Sequence, residues 1–133
     1  MTSRIQRTLR ATLALGPIAM ALLCLSQPAS AAGNVERGGD VFDAQCAECH
    51  SVKANKNKKG PTLFAVIGRK AGTVPDVVYS DAMKASGIVW SPDKVEAYVA
   101  NPKGVVPGGK MKYDGKLSAQ ENADLLAFLA TLH

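Results

Sequence analysis

No stretch constrains this chain more than Cys46-Ala47-Glu48-Cys49-His50. Thiols three positions apart share one face of a helical turn, and an imidazole follows the second directly. Those groups at that spacing suit a planar macrocycle. The two sulfurs reach the vinyl groups along one side of a porphyrin, and the histidine sets a nitrogen on its metal. The pattern reads as c-type haem attachment. Pairing Cys46 with Cys49 in a redox-active disulfide is the competing use. Such proteins carry the pair near a βαβ pattern, and no segment here shows strand alternation.

The first 32 residues have a different character. Arg4, Arg7 and Arg10 precede an uncharged, mostly apolar stretch from Ala11 to Leu25, then Pro28 and the small-x-small triplet Ala29-Ser30-Ala31. This is the layout of a secretory signal peptide, so the expectation is a cleaved leader over 1–32, a domain over 33–133 and a periplasmic protein. An uncleaved membrane anchor is the alternative; the apolar run falls short of the roughly 20 residues a bilayer span needs. The whole chain carries 16 Lys and Arg against 11 Asp and Glu, a net +5. Without the leader, which holds three arginines and no acid, the balance is +2. A nucleic-acid partner, which wants a domain-wide basic footprint, is therefore not expected. Cys24 leaves with the leader, so Cys46 and Cys49 are the only thiols of the mature domain. A domain of about 100 residues buries a modest share of its surface, and a large apolar cofactor supplies much of the missing core.

Helix signals dominate that domain. Asn34 as N-cap, Glu36 in the first turn and an apolar face of Val35, Val41 and Phe42 predict a helix over 35–46. Gly38 and Gly39 within it suggest that another helix crosses at close range. Ser51 to Gly60 is a polar loop carrying Lys53, Lys56, Lys58 and Lys59. Leu63, Val66 and Ile67 form a short buried face closed by Gly68 to Gly72, and Thr73 to Val78 is extended. Ser80 and Asp81 open a short helix to about Ser86, with Gly87 as its stop. Ser91-Pro92-Asp93 starts another, with Val95, Tyr98 and Val99 as its stripe and Asn101-Pro102 as its end. Lys103 to Gly115 is rich in Pro and Gly and reads as irregular. Ser118 to Glu121 is a capping box for a last amphipathic helix running to the C-terminus.

The second axial ligand largely decides whether a haem transfers electrons or binds small molecules. The residues offer Met83, Met111, His133 and the lysines. A terminal histidine is usually a solvated end, and a methionine in a short helix is usually core filler. Met111 lies in an irregular loop with little helix face to pack against.

The domain resembles class I cytochrome c, of the mitochondrial and bacterial cytochrome c2 type, over nearly its whole length. The matching stretches are Asn34 to Gly38 with Phe42, Cys46 to His50, Lys59-Gly60-Pro61, Gly68 to Gly72, Gly87 to Trp90 and Tyr98. Asn101 to Lys103, Pro107 to Met111 and Ala123 to Leu129 complete the set. The resemblance implies an all-α fold of four to five helices wrapped around one covalent haem c, with the first and last helices crossing through Gly38, Phe42, Leu125 and Phe128. It implies thioethers from Cys46 and Cys49, and iron held by His50 and Met111. Pro61 would offer a carbonyl to His50; Arg69, Tyr79 and Trp90 would contact the propionates, and Tyr98 would lie near the Met111 sulfur. Gly109 stands where threonine is usual, Tyr113 where phenylalanine is common, and Met83 where many relatives are polar.

A filled six-coordinate site implies a one-electron carrier rather than an enzyme. A haem enzyme or sensor with a labile sixth ligand, binding peroxide or a gas, is the alternative. Lys53, Lys56, Lys58 and Lys59 on one side and Lys110, Lys112 and Lys116 on the other imply acidic redox partners, since complementary fields speed encounter. By resemblance these are a cytochrome bc1-type donor and an oxidase or reaction-centre acceptor. They are met by a monomer that touches the membrane surface only in passing.

Overall fold

The computed structural model describes residues 32–133, so the leader reading lies, but for Ala32, outside the described residues. Five helices follow one another: α1 (Val35–Gln45), α2 (Asp81–Ala85), α3 (Pro92–Ala100), α4 (Pro102–Val105) and α5 (Ala119–Leu129). The fold is all-α, as expected. Among the described residues the β-type pairing is an isolated antiparallel bridge between Lys70 and Val89.

The N-cap of α1 is Asn34, whose side chain accepts from the Arg37 N–H. The helix stops one residue earlier than expected, because Cys46 is its C-cap. Val35, expected on the apolar face, is 44% exposed. The buried face is instead Gly38 and Phe42, which meet α5. A Cβ on Gly38 would sit 2.0 Å from the Asp124 carbonyl oxygen and 2.6 Å from the Phe128 Cβ. The Phe42 and Phe128 rings pack at 5.9 Å, tilted by 43°.

The capping box of α5 is complete: Ser118 accepts from the Glu121 N–H, and Glu121 reaches back to the Ser118 N–H. The helix does not run to the C-terminus but ends at Leu129. Thr131 and Leu132 close tight turns onto Phe128 and Leu129, and the Leu132 carbonyl turns away to accept from the Ala65 N–H at 2.7 Å.

Asp124 ties the crossing together. It is 2% exposed and accepts from the Asn34 N–H at 2.6 Å, Gln120 Nε2 at 2.9 Å, and Arg37 Nε at 2.8 Å and Nη2 at 3.2 Å. The Arg37 hydrogen bond foremost, then that from Asn34, holds its carboxyl down at about 2 against an ordinary 3.8. A depressed acid stabilises the fold above its unfolded pKa and loses that contribution as pH falls toward the folded value. The thermal midpoint of the protein will therefore drop between pH 4 and pH 2 (about two units). In Asp124→Asn that part of the drop disappears, and midpoints of both proteins measured across this window check it.

Ser80 caps α2 through the Met83 N–H, and Gly87 follows at φ +65°. Pro92 occupies the first turn of α3 as expected, but Ser91 makes no side-chain capping bond. The pair Asn101-Pro102 ends α3 and opens α4, a turn absent from the sequence reading. Asn101 accepts from the Gly104 N–H at 2.9 Å, and proline is pre-set for a first helical position. Leu125, Leu129 and Val106 are the most deeply buried side chains, and Met83 joins Trp90, Tyr98 and Val99 in the same core.

Candidate haem site

Cys46 closes α1, and its carbonyl accepts from the N–H groups of both Cys49 (3.1 Å) and His50 (2.9 Å). That turn brings the two thiols and the imidazole onto one short arc. No disulfide joins Cys46 to Cys49, and both are half-buried. Burial, with Cys49 adding to it, pushes the Cys46 thiol up to about 11, so it stays protonated at neutral pH.

His50 Nδ1 lies 2.8 Å from the Pro61 carbonyl oxygen. A carbonyl only accepts, so Nδ1 carries the proton and Nε2 is left with its lone pair free. Burial holds the imidazole below its usual pKa; the Pro61 bond opposes this and the charge of Arg69 adds to it. The result is a neutral ring presenting Nε2. A Cβ on Gly60 would stand 2.6 Å from His50 Cε1, so only glycine leaves room for the ring.

The Pro61 turn is held from several sides. The Gly60 N–H donates to the Cys49 carbonyl at 2.8 Å and the Leu63 N–H to that of Ser51 at 2.7 Å. Asn57 Oδ1 accepts from the Thr62 N–H at 3.0 Å. Arg69 donates from Nη1 to the Phe64 carbonyl and from Nη2 to that of Thr62, both at 2.8 Å. Arg69, expected beside propionates, is found bracing this turn. Burial lowers its pKa while Tyr79 opposes, and Tyr79 is in turn raised by burial. Trp90 and Tyr98 are buried with ring centroids 5.1 Å apart, and burial raises the Tyr98 phenol. Met111 is half-buried and packs against the same core, as do Cys46, Tyr79 and Tyr113. The Tyr113 hydroxyl is buried with no partner among the described residues.

The donor set is two free thiols, an oriented neutral imidazole and a thioether, with a glycine cradle beside the ring. It fits a haem c. Met83 and His133 take the roles expected of them, one buried in the core and the other exposed.

The Cytochrome c family model matches residues 35–133. Cytochrome c2 from Rhodomicrobium vannielii is 46% identical over 114 residues, covering 85% of this chain and 90% of that one. Cytochrome c 2.1 from Caenorhabditis briggsae is 43% identical over 98 residues, 74% of this chain and 88% of the relative. Among solved structures, cytochrome cH from Methylobacterium extorquens superposes with a TM-score of 0.68 at 37% identity, covering 74% of this chain and 99% of that one. This chain belongs to the cytochrome c family. It is a haem-bearing electron carrier with covalently attached haem c and its iron, and it acts by meeting redox partners.

Sequence reasoning passed over two functional side chains. Asn57 was hidden in a lysine-rich run, where nothing distinguishes an amide that bridges two segments from one in solvent. Asp124 left a trace, an acid among the apolar residues of α5. The lysine cluster is also less uniform than the sequence suggests. Lys59 pairs with Glu48 and Lys116 with Asp114, while Lys58 and Lys110 donate to the carbonyls of Ala47 and Val78. Lys103, Lys110 and Lys112 rim a surface concavity of about 850 Å³ beside Met111.

Proposed function

We propose that the iron is held between His50 Nε2 and Met111 Sδ, and that the protein shuttles single electrons between membrane complexes from the periplasm. The observation that carries this is the His50–Pro61 hydrogen bond, which leaves Nε2 as the ring's only ligating atom. A bound haem c supplies a one-electron ferric/ferrous couple. Cys46 and Cys49 anchor the group covalently at the end of α1. His50 donates a lone pair whose basicity the Pro61 carbonyl raises. Met111 would contribute a soft thioether that favours the reduced metal, with Tyr98 as the expected neighbour of its sulfur. Tyr79, Trp90 and the remaining donors of Arg69 would hold the propionates. If His50 and Met111 both hold the iron, they would leave no open position for oxygen or peroxide, which disfavours the enzyme or sensor reading.

Met111→Ala tests the assignment. The ferric variant is expected to lose the long-wavelength absorption of a thioether–iron bond, to bind added imidazole readily and to show a lower midpoint potential. An unchanged band overturns the reading.

The lysines around Met111 suit an acidic partner, a bc1-type donor or an oxidase or reaction-centre acceptor. Electron-transfer rates with such a complex are expected to fall steeply as salt rises, because exposed charges are screened beyond about 8 Å at physiological ionic strength. Residues 1–31 or 1–32 act as an export leader, so the mature protein begins at Ala32 or Gly33; intact-mass measurement of the periplasmic form checks it.

A further inference from the structure

Pro75 to Val78 is an odd segment to find in a fixed place. Pro75, Asp76 and Val78 are exposed, and Val78 is 83% exposed despite its apolar side chain. Asp76 also holds a positive φ of 59°, in the left-handed region that most L-residues avoid. Burial does not pin these residues. Two side-chain hydrogen bonds do, one at each end. Asn57 Nδ2 donates to the Pro75 carbonyl at 2.8 Å, and Lys110 Nζ donates to the Val78 carbonyl at 3.3 Å.

Each of those side chains has its other attachment at the haem site. Asn57 Oδ1 accepts from the Thr62 N–H, next to the Pro61 carbonyl that orients His50. Lys110 immediately precedes Met111. A continuous path therefore runs from His50 through Pro61, Thr62 and Asn57 to Pro75, along three residues to Val78, and through Lys110 to Met111. We infer that Pro75–Val78 is a tie between the two ligand-bearing segments, with Asn57 and Lys110 as its fasteners. Asn57 is then a positioning residue for Met111, a side chain on the far side of the site that it does not touch. The inference rests on His50 and Met111 being the axial ligands.

The tie makes a specific demand. Loosening its His50 end must ease displacement of Met111 at the other. Asn57→Asp separates the two bonds of this side chain, since a carboxylate still accepts from Thr62 but has no hydrogen to give Pro75. Imidazole, titrated into the ferric holoprotein, competes for the iron position assigned to Met111 and is followed by loss of the thioether–iron band. Asn57→Asp and Asn57→Ala are each expected to raise the apparent imidazole affinity about fivefold, the equilibrium factor of one neutral hydrogen bond. Lys110→Leu is expected to do likewise. The double variant Asn57→Asp/Lys110→Leu should fall short of the product of the singles, because a tie already cut at one end has little left to lose at the other. Thr131→Val, which removes a hydroxyl bond to Phe128 away from this path, should leave the affinity unchanged and controls for general destabilisation.

Wild-type imidazole affinity in Asn57→Asp, or strictly multiplicative effects in the double variant, overturns the tie. A thioether band that survives Met111→Ala overturns the ligand assignment beneath it, and the tie's role with it. The two failures are therefore read from different proteins.

Discussion

Gly38→Val is expected to lower the thermal midpoint of the holoprotein by roughly 10–20 °C, the equivalent of about 3 kcal/mol for a domain of this size. The cause is backbone against backbone. The added Cβ would fall 2.0 Å from the Asp124 carbonyl oxygen and 2.6 Å from its carbon, and neither atom can swing aside as a flexible side chain would. Either α1 and α5 separate, or Asp124 shifts and slackens its bonds to Asn34, Gln120 and Arg37. Gly39 supplies the internal comparison. It is the next residue of the same helix, yet its nearest neighbours are the Phe128 ring atoms at 3.7 and 3.8 Å. Gly39→Ala should therefore raise stability, by up to about 1 kcal/mol, through helix propensity alone. Thermal melts of Gly38→Ala, Gly38→Val and Gly39→Ala read the pattern. Similar midpoints for the two alanine variants would sink the close-crossing account.

That crossing was legible in the sequence because adjacent glycines in a capped amphipathic helix have few uses. Which of the two was required was not legible, since the answer depends on the phase of α1 against α5. The same limit explains Val35. Its spacing from Phe42 is right for a shared face, but the contact begins one turn later, at Gly38. Caps behaved differently. Asn34, Ser80 and Ser118 act within a few residues of themselves, and local chemistry suffices to find them. Ser91 shows where that fails, since a good capping residue before Pro92 makes no capping bond. In α4, Asn101-Pro102 was read as a stop when it is equally a start.

The candidate site divides along similar lines. Cys46, Cys49 and His50 are contiguous, so their chemistry could be read directly. The bracing of Pro61 by Asn57 and Arg69 arises only when the chain folds back on itself. No period or motif records that an amide in a lysine run faces a backbone N–H five residues on and a carbonyl eighteen residues on. Lysine pairing is hidden for the same reason: Lys59 meets Glu48 across a loop, which removes one charge from a cluster that counts as uniform in sequence.

Gly60 offers the sharpest handle on the His50 side. A Cβ there would stand 2.6 Å from Cε1, 3.0 Å from Nδ1 and 3.3 Å from Nε2 of His50. The Pro61 turn next to it is held by Arg69, Asn57 and the Gly60 N–H bond to Cys49, so the strain falls on the imidazole. In Gly60→Ala, and more so in Gly60→Val, the ring must tilt, and Nδ1 must lengthen or lose its 2.8 Å bond to Pro61. A histidine without that acceptor is a weaker donor, and loss of such an outer partner typically costs a metal site about 10- to 100-fold in affinity. The weaker donor stabilises the ferric form less, so the midpoint potential of the holoprotein should rise. Under the proposed ligation, Met111→Ala would remove the thioether that favours reduced iron and move the potential the other way. Opposite signs from substitutions at the two proposed ligand segments are hard to obtain from general loosening, which would move both potentials together. Redox titration of the two purified variants decides it. A Gly60→Val potential at or below that of the wild type would mean that the Pro61 hydrogen bond does not set the donor strength of His50.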